Sequence, residues 1–166
     1  MNVLIWNCRG AAKAKLKGIM KTLVRSHKVE VVVLLKPRVS GIRAQKVIQN
    51  LGYVNYIIED AVVELVDKTS QAILVRLSKP NNSPFIFSVV YANPRVERKK
   101  KLWEVLRSWH QMYSEPWLVA GDFNEILSAE EKKGRAPVDF GRCSDFADVL
   151  DDCNLMDLGN SGPFFT

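Results

Sequence analysis

Apolar residues in this chain fall into two kinds of block. Short unbroken runs at 3–6, 31–35 and 117–120 read as buried strands, and the β-branched run 31–35 as one covered on both faces. Residues 53–58, 71–77, 85–91 and 155–158 read as further strands. The turn at 79–84, with its prolines and asparagines, joins 71–77 to 85–91 as a hairpin. Between the strands, apolar residues recur at helical spacing. One set is Leu16, Ile19, Met20, Leu23 and Val24. A second is Ala44, Val47, Ile48 and Leu51, with Ser40 as cap and Gly52 as stop. A third is Leu102, Leu106, Trp109 and Tyr113, after Asn93 as cap and Pro94 in the first turn. The last is Cys143, Phe146, Ala147 and Leu150 behind an Asp139 cap. Alternating strands and helices predict an α/β fold, and the hairpin predicts that its sheet is mixed. No repeat, low-complexity tract or linker interrupts residues 1–166, which read as a single domain.

With 47% hydrophobic residues, the chain has the material for a packed core. Its net charge of +6 is unevenly spread: residues 1–110 hold 20 Lys/Arg against 7 Asp/Glu, and residues 111–166 hold 4 against 11. A basic body with an acidic end suits a surface that binds a polyanion beside a carboxylate-bearing site; the alternative is an ordinary solvated surface. The basic positions that would meet such a polyanion are Arg9 and the cluster Arg95, Arg98, Lys99, Lys100 and Lys101, read as the outer face of the third helix. Cys8, Cys143 and Cys153 show neither CxxC nor zinc-ligand spacing, and read as small core residues in a reducing compartment. No charged leader and no run of about 20 apolar residues is present, so the expectation is an intracellular protein, nuclear or cytoplasmic, without a membrane span.

The stretch with the most chemistry is 117–124, Trp-Leu-Val-Ala-Gly-Asp-Phe-Asn. Gly121 permits a tight backbone or a close ligand approach. If the strand runs on through Asn124, alternation turns Asp122 and Asn124 to one site and Phe123 inward. A carboxylate beside an amide at a strand end suits phosphate chemistry, holding a water or a metal and donating to developing charge. The alternative is an Asx turn that caps the next segment. Asn7, Lys36 and Tyr91 also directly follow or end apolar runs, and ligand sites in α/β folds gather at such ends.

The segments Leu-Ile-Trp-Asn-Cys-Arg-Gly at 4–10, Val-Val-Val-Leu-Leu-Lys-Pro-Arg at 31–38, Val-Val-Tyr at 89–91 and Gly-Asp-Phe-Asn at 121–124 resemble the endonuclease/exonuclease/phosphatase superfamily, the group of AP endonucleases and deoxyribonuclease-I-like enzymes. The Trp-Asn-Cys-Arg-Gly opening and Leu-Trp at 102–103 look most like the endonuclease domain of plant LINE-type retrotransposons. The resemblance implies a four-layer α/β/β/α sandwich with mixed sheets that hydrolyses DNA phosphodiesters with Mg²⁺. It implies that Asn7 helps bind metal and phosphate, and that Tyr91 donates to the phosphate. Asp122 would orient or activate the attacking water, and Asn124 would fix Asp122 and the transition state.

Three departures qualify what the resemblance implies. Lys36 stands where the family has the Glu that is its principal metal ligand, and an ammonium repels Mg²⁺. The family continues beyond the equivalent of Thr166 with strands carrying a second metal-site Asp and a Ser-Asp-His segment, so the sandwich is expected to be incomplete, its carboxyl-terminal strands missing. The region around 60–64 is short where the family has a Gly-Gly strand. The expectation is a truncated, degenerate member with impaired catalysis and weak or absent Mg²⁺ binding, open to self-association through an uncovered sheet. The alternatives are an inactive nucleic-acid-binding remnant and a partner-dependent scaffold or gene fragment.

Overall fold

The structure, a computed structural model, describes residues 2–8, 14–35, 38, 41–51, 62–78, 82–134 and 137–159. The elements, in order, are β1 (Val3–Asn7), α1 (Ala14–Ser26), β2 (Val31–Leu35), α2 (Gly41–Leu51), β3 (Val62–Lys68), β4 (Ala72–Ser78), β5 (Phe85–Tyr91), α3 (Val96–Met112), β6 (Trp117–Asp122), a 3₁₀ turn at Ala129–Glu131 and α4 (Phe140–Asp152). The fold is α/β. Parallel β1–β2 forms one sheet, and β3-β4-β5-β6, with β3 and β4 antiparallel, forms another. The strand expected at 53–58 lies outside the described residues.

Two compact units divide the chain: residues 1–69, 73–90 and 116–122 in the first, residues 70–72, 91–115 and 123–166 in the second. In the first, β1 and β2 align from Val3↔Val31 to Asn7↔Leu35. Cys8, Leu16, Met20 and Leu51 form the buried cluster over this pair, flanked by Trp6, Val24, Val32, Leu34 and Val47. The helical faces are narrower than their periodicity predicts, for Ile19 and Ile48 are 48% and 51% exposed. A two-stranded surface meets only a narrow stripe of each helix, here Leu16, Met20 and Val24 on α1 and Val47 and Leu51 on α2. For the same reason β2 is not buried on both faces: Val31 to Leu34 are half-buried and only Leu35 is buried.

The four-stranded sheet is built around β5, where Ile86, Phe87, Ser88, Val89 and Val90 are all buried. Ser88, a polar residue in the middle of this strand, is satisfied because Trp117 Nε1 donates to its hydroxyl at 2.8 Å. β4 and β5 are neighbours, as a hairpin requires, and β3 carries a bulge between Leu65 and Asp67.

In the second unit α3 buries Lys99, Leu102, Trp103, Leu106 and Trp109, a stripe at three- and four-residue steps. It starts at Val96, two residues later than expected, because the Asn93 side chain accepts from the Arg95 amide at 3.0 Å and closes an Asx turn. α4 is capped as predicted, Asp139 Oδ1 accepting from the Arg142 amide at 3.2 Å. Its end explains why no strand forms at 155–158. Asn154 takes a left-handed φ of 50°, its amide donates to Asp151, and the Leu155 amide donates to Leu150. This is a Schellman stop with Asn in the place of Gly. Met156 and Leu158, left beyond it, are 80% and 78% exposed.

Candidate functional site

The first unit brings two of the expected residues together. Asn7 ends β1 and Asp122 ends β6, and β1 packs against β6. Asn7 Nδ2 donates to Asp122 Oδ2 at 3.3 Å, across 115 residues of sequence. Facing a carboxylate, the Asn7 amide has to present nitrogen rather than oxygen. Its Oδ1 is consequently turned away, and among the described residues it is buried without a hydrogen-bond partner. Leaving such an acceptor unmet costs about 1–3 kcal/mol.

Gly121 brings Asp122 to this point. Its φ of 146° is available to glycine, and a Cβ built there would lie 1.9 Å from the Val90 carbonyl oxygen. The tight backbone approach expected of this glycine is realised.

In the second unit Asn124 does not continue the strand. β6 ends at Asp122 and Asn124 sits at a φ of 48°, so the alternation that would have paired it with Asp122 is broken. Its Nδ2 donates back to the Ala92 carbonyl at 2.7 Å, beside Tyr91. Phe123 packs inward as expected, stacked 6.4 Å from Trp103 and tilted 5.1 Å from Phe146. Tyr91, half-buried at the end of β5, donates its amide to the Gln71 carbonyl at 2.7 Å. The Gln71 side chain accepts from the Asn93 amide at 2.6 Å and donates to the Arg98 carbonyl at 2.8 Å. It thereby fastens the approach to α3.

No protein-family model matches this chain, and no curated protein does.

The basic face of α3 differs from expectation at one position. Arg95, Arg98, Lys100 and Lys101 are exposed, but Lys99 is 1% exposed. Its Nζ donates to the Asn124 carbonyl at 2.6 Å and to Glu125 Oε1 at 2.5 Å. Lys99 stands three, four and seven residues before Leu102, Trp103 and Leu106, which puts it on the buried face. Arg142 completes the cluster, donating through Nε and Nη2 to the same Glu125 oxygen at 3.0 and 2.8 Å. The hydrogen bond to Glu125 raises the Arg142 pKa, so this guanidinium is charged throughout the working range. Glu125 and Arg142 were not among the expected site residues. Their signals were slight: Glu125 directly follows Asn124, and Arg142 lies three residues after the Asp139 cap.

Arg9 and Lys36 lie outside the described residues. Among those described, no group of three or more His, Cys, Asp or Glu side chains gathers as a metal cage. All three cysteines are buried, as expected of core residues. Among the described residues no helix is long and apolar enough to cross a membrane.

Proposed function

We propose that this chain derives from a Mg²⁺-dependent DNA endonuclease of the endonuclease/exonuclease/phosphatase kind, and that its turnover is impaired. What supports the reading is the meeting of Asn7 and Asp122 at two strand ends, with one buried amide oxygen left over. The donors suit a loosely held Mg²⁺. That ion takes hard oxygens, and is commonly held by one or two carboxylates with waters and substrate phosphates completing its shell. Asp122, with Asn7 beside it, would hold the ion, and its chemistry there would be to neutralise charge on a phosphodiester. Asp122 would orient the attacking water. Lys36, in the place the resemblance gives to a Glu, removes the second carboxylate and repels the ion.

The test combines calorimetry and Mg²⁺-dependent melting of wild type and Lys36→Glu with nicking of supercoiled plasmid, Asp122→Ala serving as control. Wild type is expected to bind Mg²⁺ no more tightly than an exposed carboxylate does, and Lys36→Glu to bind it measurably tighter. Neither should nick efficiently, since loss of single catalytic groups costs ~10²–10⁴ in rate. Lys36→Glu without any gain in metal affinity would remove the strand-end site. Brisk nicking by wild type that disappears in Asp122→Ala would overturn the impairment.

A second reading, nucleic-acid binding without cleavage, draws on exposed Arg95, Arg98, Lys100 and Lys101. Each phosphate contact contributes a slope of about −0.9 to log affinity against log salt. A steep salt dependence that flattens stepwise as these residues become Ala is the expected result. A flat dependence would leave them as an ordinary solvated face.

A further inference from the structure

We propose that Lys99 is a positioning residue. Its buried ammonium, neutralised by Glu125, holds the backbone of Asn124 in the left-handed conformation that keeps the Asn124 side-chain amide on the Ala92 carbonyl. The inference deepens the reading above and rests on it in one respect, that Asn124 is one of the functional residues the resemblance implies.

A lysine on the buried stripe of α3 costs several kcal/mol to desolvate, and an apolar residue there would pack against the same neighbours at no such cost. The charge therefore needs a reason, and its contacts supply one. One donor goes to the Asn124 carbonyl and one to Glu125 Oε1, so two consecutive residues are tied to a rigid helix at a single point. Arg142 braces Glu125 from α4 with two further hydrogen bonds. Asn is one of the few non-glycine residues that enter the left-handed region readily, so its φ of 48° carries a small cost but is not its only accessible conformation. A charge-assisted bond to the carbonyl of that residue selects this conformation from the alternatives. With the backbone set, the Asn124 amide reaches Ala92 at 2.7 Å, and Ala92 is fully buried and so does not move to meet it.

Lys99→Met separates positioning from filling space, because Met occupies the same buried channel without donors. The readout is the Asn124 side-chain NH₂ pair in a ¹⁵N–¹H spectrum. Its exchange with water is expected to rise about tenfold in Lys99→Met, the size of effect that loss of a hydrogen bond to a charged group produces. Trp103 and Leu106 should keep their native shifts, and Lys99→Arg should recover part of the protection. An Asn124 pair that is unchanged in a folded Lys99→Met protein would overturn the proposal. If Lys99→Met fails to fold, the double variant Lys99→Met/Glu125→Leu removes the buried carboxylate that has lost its lysine partner, and the same readout applies to it. A double variant with a native Asn124 signal, or one that also fails to fold, overturns positioning and leaves Lys99 a residue of the core. DNA binding supplies a separate arm. Lys99→Met should leave the salt slope unchanged, whereas Lys100→Ala should reduce it by about one contact. A slope that falls equally in both would make Lys99 a phosphate contact and refute its positioning role. Absence of DNA binding in wild type would refute the functional reading alone, since the Asn124 readout needs no DNA.

Discussion

Gly121 lies so close to Val90 that a Cβ on the glycine would sit 1.9 Å from the valine's carbonyl oxygen. The approach is backbone against backbone, so no rotamer change relieves it. Gly121→Ala also meets the penalty of a φ of 146°. Left-handed strain and overpacking together are expected to cost about 3 kcal/mol or more. Urea denaturation measures it, and a loss below about 1 kcal/mol would mean that β5 and β6 separate at little cost.

Lys99–Glu125 and Arg107–Asp152 are ion pairs that tie α3 to other parts of the second unit, and their burial sets their worth. Arg107 Nε meets Asp152 at 2.6 Å, but the two side chains are 36% and 53% exposed. Arg107→Ala should cost less than about 1 kcal/mol, and less again in high salt. The side chains of Lys99 and Glu125 are 2% and 8% exposed. Glu125→Ala strands the buried ammonium and should cost about 3–5 kcal/mol. Equal losses in the two variants, measured by chemical denaturation, would contradict this ordering.

Cys153, buried at the end of α4, gives a stability that depends on alkaline pH. Burial pushes its thiol pKa up from 9.0 to about 11, despite the opposing pull of Arg107. A raised pKa means that between those values the unfolded chain has released a proton the folded chain still holds. Stability is therefore full below pH 9, falls as pH rises toward 11 and levels off beyond. Comparing wild type with Cys153→Ala isolates this slope from lysine and tyrosine titration. The wild type should lose more stability than the variant between pH 9 and 11, and parallel curves would disprove the assignment.

Val62, Val63 and Leu65 on β3 and Ile73 on β4 are 64%, 58%, 56% and 46% exposed. Apolar residues gathered on a strand at the end of the sheet order favour association between chains. Light scattering is expected to show species larger than a monomer, with binding of a hydrophobic dye. Val63→Lys with Leu65→Lys should reduce both. A monodisperse wild-type monomer that binds no dye would refute the expectation.

Most strands and helices were legible in the sequence because repeat period is a local property, although β3 (Val62–Lys68) was not read as a strand and none forms at 155–158. Apolar runs at 3–6, 31–35 and 85–91, and the three-and-four spacing of Leu102, Leu106 and Trp109, need no partner to be read. The Asp139 cap was legible for the same reason, since donor and acceptor lie three residues apart. The end of α4 was local too, but Asn154 adopted the stop conformation that the apolar run after it obscured.

The site residues depended on what the chain brings together from a distance. Sequence alternation put Asp122 and Asn124 side by side, whereas the fold gives Asp122 to Asn7 and Asn124 to Ala92. Lys99 stands in a run of basic residues and reads as one more solvated charge. Its place on the stripe of Leu102, Trp103 and Leu106 was available from periodicity, but a buried ammonium is tolerable only beside a counter-charge. That charge is Glu125, 26 residues away, and only the tertiary structure decided that the two would meet. Period determines which face a residue occupies; the partner waiting on that face determines whether a charge stays there.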